Sequence, residues 1–237
     1  MAIAFVQEAG ATETATSTTL AVTISTTAGN CLAAFVALGH SSASVSGIAD
    51  TAGNTWAKAV GVAVRNPDAE IWVALDAAAV TSVTVTASAT VTMVVAVQEW
   101  SGVATASAVD QTATDNSAGS TAFSSGTTAT TTQADEVAVA IGGLAGTGGG
   151  DTLTSPQGGW TLGPQRKSQT NTANTTLYTG YLILSATGTQ VLNATMGSSS
   201  LGWEGAIVTL KGAGAAPTAM PARPRVVSQA VTRSAVW

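Results

Sequence analysis

His40 is the only histidine of the chain, and it lies in the segment LGHSSAS, where an apolar run ends. Beside a serine and an acid, a histidine can form a hydrolase triad, in which the imidazole takes the proton of the serine hydroxyl. The GxSxG turn that exposes such a serine is absent from the sequence. We therefore predict that His40 is a loop or strand-end residue and that the chain is not an enzyme.

Clusters of metal-ligating residues are also scarce. The close acid pairs are Asp68 with Glu70 and Asp135 with Glu136, and neither has the ligand spacing of a calcium loop. The glycine runs GTGGGD and PQGGW lack the GK[ST] ending of a phosphate-binding loop. The single cysteine, Cys31, is predicted to be a buried apolar residue. The sequence predicts no cofactor and no metal, and calcium on a loop stays open as an alternative.

Five tryptophans lie in or beside apolar segments, at Trp56, Trp72, Trp100, Trp160 and Trp203. Exposed aromatic rings on a β-sandwich can stack on sugars, whereas buried ones fill a core. We favour the core, because the chain has few other large side chains with which to fill one.

The composition favours a β-rich protein with a nearly uncharged surface. Charged residues make up 9 % of the 237 residues, against about 25 % in an average globular protein. Val and Thr, which favour strands, are abundant. Free monomers usually keep surface charge for solubility. A surface of Thr, Ser and Ala therefore suits a protein that packs against neighbours and associates with copies of itself.

The net charge of −5 is unevenly distributed. Residues 213–237 contain three arginines and no acid, and the remaining residues hold five Lys/Arg and thirteen Asp/Glu, which gives 5 − 13 = −8. An acidic body argues against nucleic acid and against anionic membranes as partners. The sequence shows no signal peptide and no run of about eighteen apolar residues, so we expect synthesis in the cytoplasm and no membrane association.

Short apolar segments separated by turn residues predict an all-β fold. The first series comprises TTLAVTIS (Thr18–Ser25), NCLAAFVALG (Asn30–Gly39), TWAKAVGVAV (Thr55–Val64), AEIWVALD (Ala69–Asp76), TSVTVTAS (Thr81–Ser88) and TMVVAVQEW (Thr92–Trp100). The second comprises DEVAVAIGGLAG (Asp135–Gly146), GWTLGPQRKSQ, TLYTGYLILS (Thr176–Ser185), TQVLNATM (Thr189–Met196) and WEGAIVTLKG (Trp203–Gly212).

The second series repeats the order of the first at an offset of roughly 104 to 110 residues. This indicates an internal duplication with halves at about 18–102 and 134–212. We predict one antiparallel, two-sheet, jelly-roll-like sandwich over residues 1–212, because each half has few large apolar residues for a core of its own. In the connector, GTTATTTQ could form a further strand and TDNSAGS is predicted to be an exposed loop.

Residues 213–237 form a predicted extended C-terminal arm with three of the six prolines of the chain. Apolar side chains and arginines in the arm are candidate contacts to a neighbouring subunit. These residues are Arg223, Arg225, Val226, Val227, Val231, Arg233, Val236 and Trp237.

Several segments together resemble a group of β-sandwich proteins from tailed phages of actinobacteria and related prophages. In order, they are AGNCLAAFVALG, VSGIADTAGNTWAKAV, EIWVALDAAAVTSVTVTA, AVQEWSGV, VDQTA and SSGTTATTTQADEVAVA. Members of the group are usually labelled minor tail, head-fibre or decoration proteins. The resemblance covers about residues 18–212 and carries over no catalytic or binding residue.

The resemblance implies a non-enzymatic virion protein with a jelly-roll-like sandwich, displayed on capsid or tail. Its partners would be other virion proteins, copies of itself and a host surface glycan, and it would reach the virion from the host cytoplasm. The alternative is a carbohydrate- or cell-wall-binding module, which the tryptophans motivate.

Overall fold

The computed structural model describes residues 1–146, 152–168, 174–197 and 202–214. Within these residues the chain forms 17 β-strands and contains no helix. The first eight strands are β1 (Ala4–Thr12), β2 (Ser17–Thr23), β3 (Asn30–Leu38), β4 (Val45–Asp50), β5 (Ala57–Val62), β6 (Asp68–Ala77), β7 (Ser82–Val91) and β8 (Met93–Ser101).

The remaining nine strands are β9 (Val109–Ser117), β10 (Ala122–Ser124), β11 (Glu136–Gly146), β12 (Leu153–Thr154), β13 (Thr161–Leu162), β14 (Arg166–Lys167), β15 (Asn174–Leu184), β16 (Asn193–Met196) and β17 (Trp203–Lys211). All the described strand pairs are antiparallel. The all-β sandwich prediction is therefore confirmed.

The two halves of the chain have the same sheet order. In the first half, β1–β8, the large sheet runs β1-β8-β3-β6-β5 and the small sheet runs β2-β7-β4. In the second half, β9–β17, the large sheet runs β9-β17-β11-β15-β13, with β14 also on β15, and the small sheet runs β10-β16-β12. Each strand of the first half thus has a counterpart in the second, as an internal duplication requires. The jelly-roll assignment stays a prediction.

The number of sheets differs from the predicted two, because each half has a large and a small sheet. The two large sheets also pack against each other, and we call the face between them the seam. Strand β3 shows why: Ala33, Phe35 and Ala37 face the seam core, whereas Leu32 and Val36 face the core under the small sheet. A strand covered on both faces is apolar throughout, which explains the continuous run NCLAAFVALG.

The seam core combines side chains from both halves, including Phe35 and Ile71 from the first and Val139, Ile141 and Val208 from the second. A second core lies within the first half and a third within the second. Neither half therefore has all of its apolar faces covered by its own residues. Whether the halves can be separated stays a prediction.

The connector is the part in which the sequence prediction was wrong. Thr114–Ser117, predicted as loop, belong to β9, and β9 and β10 are the counterparts of β1 and β2. GTTATTTQ is not a strand of any sheet, although the amides of Thr128 and Thr131 donate to the carbonyls of Gln190 and Gly188 at 2.9 and 3.1 Å. The edge strand β9 is polar and half-exposed, so it lacks the apolar pattern that marks central strands.

Candidate functional site

His40 lies on an exposed bend just after β3, as the sequence predicts. Its Nδ1 accepts a hydrogen bond from the Ser42 amide at 3.1 Å and lies 3.1 Å from the Ser42 hydroxyl. Both groups belong to one short turn, so this contact orders the bend.

Cys31 is buried at the seam, and burial raises the pKa of its thiol to about 12. A thiol with so high a pKa is a poor nucleophile at neutral pH. The prediction of a buried apolar cysteine is confirmed.

The tryptophans of the described residues pack against the cores. Trp100 is fully buried at the seam, and Trp160 and Trp203 are buried in the second half. Trp56 and Trp72 are half-buried against the core of the first half. Trp100, Trp160 and Trp203 therefore serve the cores, whereas Trp56 and Trp72 keep part of their rings at the surface.

Many of the charged side chains are turned inward. Six of the thirteen acidic residues are buried, namely Glu13, Asp68, Glu70, Glu99, Glu136 and Glu204. The basic side chains Lys58, Arg65, Arg166 and Lys211 bond to Glu70, Asn116, Glu8 and Asp110 within the molecule. The outer surface is therefore even less charged than the composition indicates.

The acid pair Asp68 and Glu70 lies on the face of β6 that points towards the small sheet of the first half, and the charge of Glu204 from the second half acts on Asp68. Burial, and then the charge of Glu70, raises the pKa of Asp68 to about 8. Burial also raises the pKa of Glu204, although the backbone amides of Arg65 and Val64 donate to its carboxylate. Among the described residues, no three His, Cys, Asp or Glu side chains are arranged to hold a metal ion.

A polar network crosses the seam. The Glu8 carboxylate pairs with Arg166 and accepts hydrogen bonds from Gln98 Nε2 at 2.7 Å and Thr179 Oγ1 at 2.6 Å. Glu8 and Gln98 belong to the first half, whereas Arg166 and Thr179 belong to the second. These bonds fix the lateral position of one large sheet on the other.

The outer face of the small sheet in the first half presents small, neutral side chains. Thr19 pairs with Thr86, Ala21 with Thr84 and Thr23 with Ser82 in register on β2 and β7. These six residues are exposed or half-exposed. The face offers little charge repulsion to a neighbouring molecule.

The described chain ends at what we call the arm root, Lys211–Gly214. The Gly212 amide donates to the Asp135 carbonyl at 2.7 Å, and the Ala213 amide donates to the Gly102 carbonyl at 2.8 Å. Gly214, Asp135, Met1 and Ala2 line one cavity of about 250 Å³. The N-terminus and the start of the predicted arm therefore lie together at one end of the molecule.

The candidate contacts of the arm, from Arg223 to Trp237, lie outside the described residues. The structure does describe three charged groups at the arm root that the sequence did not single out as a site. These are Asp110 on β9, Glu136 on β11 and Lys211 on β17. The one available signal was Glu136 opening a buried apolar strand, an unusual place for an acid.

Comparisons of this chain with family models, curated proteins and solved structures give no match. The described part of the chain contains no helix long and apolar enough to cross a membrane.

Proposed function

We propose that the protein is a non-enzymatic structural component of a phage virion, displayed on the capsid or tail and attached through residues 213–237. The observation that carries the proposal is the inward placement of charge. With at least six of thirteen acids buried, the outer surface is left to Thr, Ser and Ala. Such a surface suits close packing in an assembly, where unpaired charges would have to lose their water.

The arm root supports attachment from one end. Backbone hydrogen bonds hold Gly212 and Ala213 against the body, so a load on the following residues is transferred directly to β17. The body without the arm carries −8 and the arm +3. An acidic receiving surface, such as the body of a neighbouring copy, would therefore attract the arm.

Apolar contacts should supply most of the attachment energy. Partly exposed ion pairs of Arg223, Arg225 and Arg233 contribute at most about 1 kcal/mol each. Full burial of Val226, Val227 or another large apolar side chain contributes about 1.5–3 kcal/mol. Ordering the backbone opposes both by about 1–2 kcal/mol per residue. The arm therefore needs a long groove or addition to the edge of a neighbouring sheet.

The test is mass spectrometry of purified particles of the phage that encodes the chain, made with the full protein and with a variant truncated after Gly214. We expect the full protein to be present in the particle and the truncated protein to be absent from it. As a control, the truncated protein in solution should keep the circular dichroism spectrum and melting temperature of the full protein. Absence of the full protein from particles would refute the virion role. Normal incorporation of the truncated protein would refute attachment through the arm and would mean that the attachment surface lies on the sandwich.

A triple variant, R223A/R225A/R233A, separates the two parts of the arm's contribution. We expect reduced, salt-sensitive incorporation, because only the ionic contribution is removed. Complete loss equal to that of the truncation would contradict a mainly apolar attachment.

A further inference from the structure

Three ionisable side chains converge where β17 ends at the arm root. Strand β17 lies between β9 and β11, and Glu136 is the register partner of Lys211. The Lys211 Nζ lies 3.4 Å from Asp110 Oδ1, and the two side chains are 29 % and 4 % exposed. A lysine, an aspartate and a glutamate from three neighbouring strands thus meet at one partly buried site, in which Glu136 is the fully buried member.

Thr132 holds the Asp110 carboxylate in place. Its amide donates to Oδ2 at 2.6 Å and its hydroxyl donates to Oδ1 at 2.7 Å. Burial alone would raise the pKa of Asp110, but these bonds outweigh it and hold the pKa at about 2. The same two donors could stabilise negative charge on these oxygens during an attack at the carboxyl carbon.

Glu136 is fully buried beside Asp110, and neither of its carboxyl oxygens makes a hydrogen bond of normal geometry. Burial, together with the neighbouring Asp110, raises its pKa. Its carboxyl group therefore keeps a proton more readily than an exposed glutamate. Because it lies within interaction range of Asp110, it can pass that proton to an Asp110 oxygen.

We propose that Lys211 and Asp110 condense to form an intramolecular amide, with Glu136 as the catalytic proton relay. Because Asp110 is ionised at neutral pH, the reaction starts with an uphill proton transfer from the Lys211 ammonium to the Asp110 carboxylate, so the bond forms slowly. The neutral Nζ then attacks the Asp110 carboxyl carbon. Glu136 gives its proton to the departing Asp110 oxygen and regains one from Nζ. The C–N bond forms, one C–O bond breaks, and one water leaves, with no oxidant or other reactant.

The Lys58–Glu70 pair provides an internal comparison. Its Nζ–Oε1 distance is 3.0 Å, but Lys58 is 42 % exposed. The acid nearby, Asp68, interacts with Glu70 as a like charge, whereas Glu136 is the direct register partner of Lys211 itself. The Lys58 amine therefore stays hydrated and has no relay beside its partner, so we expect no amide there.

The amide would join the first strand of the second half to its last strand, directly before Gly212. Tension on residues 213–237 would then pass through a covalent bond into β9 and would not unzip β17 from its C-terminal end. The chemistry itself does not depend on the proposed virion role.

The experiment is intact-mass spectrometry of the purified, folded full chain, followed by peptide mapping of a proteolytic digest. We expect wild type to be one water lighter than K211R after correction for the substitution, with Lys211 and Asp110 recovered in one branched peptide. D110A should lack the deficit, and E136Q should form the bond at least tenfold more slowly, whereas K58R should keep the full deficit. Circular dichroism must show that each variant is folded.

Several results would overturn the proposal. A wild-type protein of full mass after prolonged incubation would exclude the amide. A deficit that persists in K211R would indicate dehydration of an aspartate to a succinimide. A branched peptide through Asp135 would assign the bond to another acid, and unchanged kinetics in E136Q would remove the relay role.

Discussion

The two halves share one sheet order but fill their inner cores in opposite ways. In the first half, Val36 and Val95 are cross-strand partners in the large sheet and face a small sheet of three strands, each six to ten residues long. At the corresponding place in the second half, 142 − 36 = 106 and 205 − 95 = 110 residues later, the partners are Gly142 and Gly205.

The glycine pair makes room for large groups from the other sheet. A Cβ on Gly142 would lie 3.1 Å from the Phe123 ring, and one on Gly205 would lie 2.3 Å from the Ser124 carbonyl oxygen. Both contacts come from β10, which is only three residues long. The comparison shows two ways to fill the space between a large and a small sheet. Where the small sheet has short strands, aromatic side chains fill the space and glycines in the large sheet make room for them. Where the small sheet has long strands, valines on the large sheet fill the space.

Trp203→Ala should have the largest effect, because the second half depends on a few large rings. Trp203 is buried, its ring centroid lies 5.1 Å from that of Phe123, and its Nε1 donates to the Ser120 carbonyl at 3.0 Å. We expect the free energy of unfolding to fall by about 3–5 kcal/mol. Urea denaturation at constant pH measures the loss.

Val85→Ala is the matched variant in the first half, where Val85 is fully buried under the small sheet. Removing two methyl groups should cost about 1.6 kcal/mol of burial. If Val85→Ala destabilises as much as Trp203→Ala, the proposed difference between the two cores is wrong.

The sequence could predict the central strands but not this difference. Strand β3 is continuously apolar and Trp160 stands beside a strand, so burial follows directly from residue type. The seam could not be predicted, because Glu8 and Arg166 are 158 positions apart and nothing local relates them. Asp110 and Lys211 were missed for the same reason: an edge strand and a strand end lack a distinctive pattern.

The strand acid Asp68 and the turn acid Asp50 should affect the pH dependence of stability in opposite directions. Between its ordinary pKa of 3.8 and about 8, Asp68 keeps a proton in the folded state that the unfolded state has lost. The free energy of unfolding should therefore fall as pH rises, by up to about 1.4 kcal/mol per pH unit, and level off above about 8. Denaturation at a series of pH values should show this slope, and Asp68→Asn should reduce it, with Glu136 and Glu204, whose pKa values burial also raises, supplying the remainder.

Asp50→Asn is the control in a turn of the first half. Burial would raise the pKa of Asp50, but hydrogen bonds from Trp56 Nε1 and the Asn54 and Ala52 amides lower it below 3.8. Ionised Asp50 therefore stabilises the folded state at pH values above 3.8, and this contribution is lost as the pH falls through the lowered pKa of Asp50. Asp50→Asn should therefore leave the slope between about pH 4 and 8 intact, and a flattened slope would exclude Asp68 as its source.

Gly205→Ala tests whether the glycine pair in the second half is a packing requirement. The new Cβ would meet backbone atoms of Ser124 and Ser125, which cannot rotate away as a side chain can. We expect a loss of about 1–3 kcal/mol in the free energy of unfolding, as for an overpacked core. An unchanged free energy of unfolding would show that β10 can move outward, and glycine would then not be required at this position of the large sheet.

Gly47→Ala should have the smallest effect and the opposite sign. Gly47 lies in β4 of the first half, a Cβ there would meet no atom within 4 Å, and its backbone is not in the left-handed region. Alanine would mainly restrict the unfolded chain, so we expect stabilisation by about 0.4–1 kcal/mol. The shift should appear as a higher urea midpoint with an unchanged dependence of the free energy on urea concentration. Destabilisation would mean that the irregular pairing between Val45 and Gly47 needs glycine, and the longer small sheet would then be as tightly constrained as the shorter one.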